Sequence, residues 1–109
     1  MDIIIESPGF KASNELESYV RETLTKLKSD KIIRADVTLY LGSDGNPSNK
    51  FCEIRLEVPG NDHFVKKSAG TFETAVLDAV ETLQEIIKKT KEKAIDRNRH
   101  MDMDTILQQ

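Results

Sequence analysis

Residues Thr71 to Arg97 read TFETAVLDAVETLQEIIKKTKEKAIDR, and the fold follows from how their apolar members are spaced. Phe72, Ala75, Val76, Ala79, Val80, Leu83, Ile86, Ile87 and Ala94 recur at three- and four-residue intervals, which at 100° per residue gathers them into one stripe. The stretch is therefore a helix that lays one face on a core. On the same wheel Asp78, Glu81, Glu85, Glu92 and Asp96 run along the outer ridge. Lys88 and Lys91 flank the stripe on one side, Lys89 and Lys93 on the other. Residues 88 to 100 hold six bases, Arg97 and Arg99 among them, against two acids: a local +4 in a chain of net charge -3. Two accounts fit this asymmetry. Acids early and bases late complement the helix macrodipole, with Glu85 and Lys89 as an i,i+4 pair in the favourable order. Alternatively, a basic band on an acidic domain is a docking surface for phosphates.

A core-facing helix needs a partner surface, and the upstream sequence supplies strands. MDIIIE, residues 1 to 6, is β-branched and ends at Ser7-Pro8-Gly9, which reads as a strand and a turn. Ser13 or Asn14 offers a helix N-cap, with Glu17 completing a capping box from Asn14. Leu16, Tyr19, Val20, Thr23, Leu24 and Leu27 form the buried stripe of that helix, and Arg21 and Lys28 share an exposed flank. From Lys31 to Gly42 the period changes to two, with Ala35, Val37, Leu39 and Leu41 on one face. GSDGNPSNK, residues 42 to 50, is a hairpin loop by composition. Phe51 to Pro59 alternates again, with Cys52, Ile54, Leu56 and Val58 inward, and Pro59-Gly60-Asn61-Asp62 turns the chain into a last strand, His63 to Ser68.

The order is β-α-β-β-β-α, an α+β fold in which two helices cover one face of a four-stranded sheet. One domain over 1–97 is expected, followed by a flexible tail over 98–109 where no periodicity persists. Lys66 and Lys67 are adjacent on the last strand, so one points toward the helices or the sheet edge and the other to solvent. They serve either as a guard on an edge strand or as part of a phosphate-binding surface.

Composition narrows the chemistry. With 38% hydrophobic and 32% charged residues the chain is an ordinary soluble domain, and no apolar run approaches the roughly 20 residues needed to cross a bilayer. No membrane association and a cytoplasmic location are expected. The single cysteine, Cys52, excludes an internal disulfide and a cysteine-based zinc site, and its parity with Ile54 and Leu56 makes it a buried thiol. His63 and His100 are too far apart in sequence to suggest a local ligand pair, and neither a Gly-rich phosphate loop nor a GxSxG elbow occurs. No catalytic residue, metal, cofactor or small-molecule substrate is expected. Aromatic residues are sparse, so shape-and-phosphate binding suits the composition better than reading of splayed bases.

Three segments, IIIESPGFKASNELESYVRETLTKL (3–27), RADVTLYL (34–41) and TFETAVLDAVETL followed by KKTKEK (71–83 and 88–93), together resemble the ribosome hibernation-promoting factor family, also described as ribosome-associated translation inhibitors or sigma-54 modulation proteins. The resemblance covers residues 1 to about 97. It implies a layout related to the double-stranded-RNA-binding domain, and docking on rRNA phosphates in the small ribosomal subunit, where the folded body covers the tRNA and mRNA positions of idle ribosomes. Carried over by position, it assigns Lys89, Lys91 and Lys93 on the last helix and Lys26 beside Leu27 to rRNA binding. Geometry adds Lys88, Arg97, Lys28, Arg21, Lys66 and Lys67. The oligomeric state is open, with a monomer expected. Two other readings are a general double-stranded-RNA-binding module and a protein-interaction domain that uses the acidic helix ridge.

Overall fold

The computed structural model describes residues 1–27, 31–42 and 47–106, with side chains described as far as residue 90. Its elements are β1 (Asp2–Glu6), α1 (Asn14–Leu24), β2 (Arg34–Leu41), β3 (Lys50–Glu57), β4 (His63–Ala69) and α2 (Phe72–Ile106). The β-α-β-β-β-α order is the one that the periodicities predict. One sheet forms, in the order β1-β2-β3-β4. β1 runs parallel to β2, as a crossover through α1 requires, and the two hairpins β2–β3 and β3–β4 are antiparallel.

Parity sorts the sheet into two faces. Ala35, Val37 and Leu39 of β2, Cys52, Ile54 and Leu56 of β3, and Val65 and Ala69 of β4 are buried beneath the helices. They meet Leu16, Val20 and Leu24 of α1 and Ala75, Val76, Ala79, Val80, Leu83 and Ile87 of α2 in one core. α2 lies over β3 and β4 and also packs against α1. The other face carries no helix among the described residues and holds Tyr40, Phe51, Glu53, Arg55, Phe64 and Lys66. Leu41 breaks the expected pattern, since it is half exposed although it shares the parity of Leu39. It is the last residue of β2, paired with Lys50, and on these two strands the core stops at Leu39 and Cys52. Parity sets the direction of a side chain, but burial also needs a neighbour overhead.

The turns explain the element boundaries. Gly9 and Gly60 take φ of 90° and 92°, the left-handed region that a Cβ disfavours, and each ends a turn. Ser13 is the N-cap of α1, its Oγ accepting from the Leu16 N–H at 3.1 Å. Asn14 is therefore already helical, and the expected Asn14–Glu17 capping box does not form. The helix proper ends at Leu24. The Lys26 and Leu27 N–H groups then bond to the Thr23 and Leu24 carbonyls at 3.1 and 3.0 Å, a tighter turn that tucks Leu27 into the core.

Thr71 caps α2 through Oγ1, which accepts from the Thr74 N–H at 3.1 Å, and Phe72 stacks on Phe10 with ring centroids 4.9 Å apart. The helix runs to Ile106, past the boundary near Arg97 that the fading periodicity suggests. No Gly or Pro occurs between Thr71 and Ile106, so nothing in the backbone stops it once the apolar stripe has ended. Among the described residues no helix is long and apolar enough to cross a membrane.

Candidate functional site

Two groups stand out among the described cations according to what they touch. Those on the open sheet face are engaged. Arg34 sits 3.2 Å from Asp36 and 3.8 Å from Glu57, and Arg55 lies 3.6 Å from Asp62 with its guanidinium 6.0 Å from the Phe64 ring centroid. Lys66 stands over Phe51 at 5.3 Å, opposite Glu53 in the strand register. The aromatic rings are themselves ordered. Tyr40 stacks on Phe51 at 5.1 Å and donates its hydroxyl to Glu53 at 2.6 Å, and that bond to a carboxylate is the main reason its pKa is raised.

The helical layer differs. Lys26, Lys67, Lys88 and Lys89 have no ion pair or hydrogen-bond partner among the described residues. Lys26, Lys88 and Lys89 are exposed. Their positions follow from a contact that charge patterning does not reveal: Gln84 of α2 donates through Nε2 to the Lys26 carbonyl at 2.6 Å. This bond ties the end of α1 to α2. Lys88 lies one turn beyond Gln84 on the same side of the helix, so it follows the bond that ties the Lys26 backbone to α2.

Lys89 projects toward β4. It lines an open groove with Lys67, Asp78, Glu81, Thr82, Glu85 and Ile86. The adjacent lysines of β4 therefore part company, as strand geometry requires. Lys67 turns to the helix side at the sheet edge and Lys66 to the open face. Arg21 takes neither position: its Nη1 reaches the Ile3 carbonyl of β1 at 3.5 Å. Of the remaining expected site residues, Lys28 lies outside the described residues. Lys91, Lys93 and Arg97 lie on α2 beyond Thr90, with side chains outside the described set.

The one thiol of the chain does not reach this surface. Cys52 is wholly buried in the core, and burial, with a smaller contribution from the Glu53 charge, pushes its thiol up to about 12. At neutral pH it is an apolar side chain. The chemistry available on the helical layer is that of unpaired ammonium groups at two flanks of one helix, with a file of carboxylates beside one of them.

Gln84 is the residue that the sequence pattern misses. It borders the apolar stripe one turn before Lys88, but an uncharged amide carries no charge signal, and its partner is a backbone carbonyl 58 residues away in sequence.

The architecture is shared with proteins of known structure. A ribosomal subunit interface protein from Coxiella burnetii superposes with a TM-score of 0.76 at 17% identity, over 84% of this chain and 99% of that one. The N-terminal domain of Protein Y from Thermus thermophilus superposes with a TM-score of 0.71 at 24% identity, over 83% of this chain and 99% of that one. Curated protein sequences give no significant match. The model of one family aligns with residues 3–95, nearly the whole span of the sheet and both helices, and by that match the chain belongs to the sigma 54 modulation protein / S30EA ribosomal protein family.

Proposed function

We propose that this protein binds the small ribosomal subunit through rRNA phosphates and holds idle ribosomes silent by occupying the tRNA and mRNA channel. The observation that carries the reading is the partition of cations. Among the described residues, Lys26, Lys67, Lys88 and Lys89 on the helical layer, and Lys11 in the connection into α1, have no partner, while Arg34, Arg55 and Lys66 of the open sheet face are engaged within the fold. A desolvated phosphate recovers most from a cation that has nothing to give up. Membership of a family that includes a ribosomal protein supports the choice of partner, as does a structural neighbour described as a ribosomal subunit interface protein.

In this mechanism the lysines position the protein and the folded body does the work. Each lysine–phosphate contact releases condensed counterions, and makes the slope of log K against log salt more negative by about 0.7–0.9. Lys26 and Lys88 anchor the seam, Lys89 and Lys67 the groove, and Lys91, Lys93 and Arg97 extend the same end of α2. Exclusion of tRNA is steric and involves no turnover, cofactor or metal.

The test is co-sedimentation of the purified chain with small ribosomal subunits over a salt series, beside a variant with Lys89, Lys91 and Lys93 all changed to Glu. One copy per subunit, salt-sensitive and lost in the variant, is the expected result. A wild type that stays in the supernatant at low salt overturns the reading.

A further inference from the structure

The groove between β4 and α2 holds more than its two lysines. Asp78, Glu81 and Glu85 are all exposed and line the same groove as Lys67 and Lys89. Their spacing of three and four residues sets the carboxylates in one file along α2. None of them has an ion-pair partner among the described residues, and the three carboxylates outnumber the two lysines that line the groove with them. The file spans roughly 10 Å of helix at 1.5 Å per residue, about one Debye length at 0.1 M salt, so a phosphate near its middle is repelled by all three.

We infer that this carboxylate file is a selectivity element that lets the helical layer bind phosphates at one end of α2 while rejecting free duplex RNA. The inference rests on the ribosome reading for its partner and adds how that partner is told from other RNA. An A-form duplex presents phosphates in unbroken rows that a protein reads by shape. Laying α2 along such a row to engage Lys88 and Lys89 brings further phosphates onto Glu85, Glu81 and Asp78. A folded rRNA site with its phosphates clustered past Glu85 satisfies Lys88 and Lys89 while meeting only Glu85 of the three acids. The acids thus cost little at the intended site and much along a continuous backbone.

The experiment compares three forms of the full chain by fluorescence anisotropy on a labelled RNA duplex of about 20 base pairs, long enough for one shape-reading module. The same forms are tested by co-sedimentation with small subunits. The forms are the wild type, the groove variant D78N/E81Q/E85Q, and a control with the same change in net charge at exposed sites elsewhere, D2N/E6Q/E22Q. Circular dichroism confirms that each is folded.

A carboxylate within about half a Debye length of a phosphate weakens binding by a factor of about two, so the groove variant should bind duplex about tenfold tighter at 0.1 M salt. The gain should shrink at higher salt, the control should gain less than the groove variant, and subunit binding should tighten less than duplex binding. Equal gains in the groove variant and the control assign the effect to net charge and overturn the proposal. No gain in duplex binding overturns it too, as does a subunit gain as large as the duplex gain. A wild type that ignores subunits defeats the ribosome reading, while the duplex comparison still decides whether the file repels phosphate.

Discussion

Replacing Gln84 by methionine removes one hydrogen bond and little else, because the two side chains have nearly the same length and volume. The lost bond is the 2.6 Å contact from Gln84 Nε2 to the Lys26 carbonyl, which lies at the water-exposed rim of the α1–α2 seam. A typical intramolecular hydrogen bond contributes about 0.5–1.5 kcal/mol net, and an exposed acceptor that water can reclaim belongs at the low end, about 0.5–1 kcal/mol. For a domain near 100 residues that corresponds to a fall in Tm of about 2–5 °C, read by thermal circular dichroism. Alanine should cost somewhat more, since it also removes packing.

The functional consequence is separable from the structural one. If Gln84 acts by holding the end of α1, then Gln84→Met lowers affinity for small subunits by no more than Lys26→Ala does, and the double variant is no weaker than Lys26→Ala alone. Non-additivity of that kind marks residues that share one contact. Additive losses, or a Gln84→Met variant with unchanged Tm, refute the idea that this bond places Lys26.

Three further outcomes follow from other contacts. Lys66→Glu should weaken subunit binding less than Lys88→Glu despite the identical charge change, because Lys66 stands on the open sheet face over Phe51, and equal losses would mean that the sheet face contacts RNA as well. Gly42→Ala should destabilise by about 1–3 kcal/mol through overpacking, since its Cβ would press on the Phe51 ring that Tyr40 and Lys66 hold in place. In a Phe51→Ala background that cost should vanish in urea titrations. The Cys52 thiol is raised from 9.0 to about 12, so its contribution is fully present below pH 9 and is lost as pH rises toward 12, because the unfolded chain gives up the proton first. Relative to Cys52→Ala, stability should fall by about 1.4 kcal/mol per pH unit above 9, and parallel profiles for the two proteins would show the thiol to be unburied.

The amino-acid sequence determined the elements, their order and which side of each turns inward, because burial is written in local period: two along β2 and β3, between three and four along α1 and α2. It also carried the family resemblance, which the match over residues 3–95 supports. What lies between elements was not legible in this way. Nothing local says that β1 pairs with β2 in parallel, that the core stops short of Leu41, or that Ser13 rather than Asn14 caps α1. The same limit applies to the candidate surface. Sequence marks every lysine alike, as one positive charge on a flexible stem. Only the tertiary structure decided that Lys66 and Arg55 stand against Phe51 and Phe64 of the neighbouring strands, that Gln84 ties the Lys26 backbone to α2, and that Lys89 shares its groove with three carboxylates. A charge is available or not according to what stands a few ångströms away, and those neighbours come from distant parts of the chain.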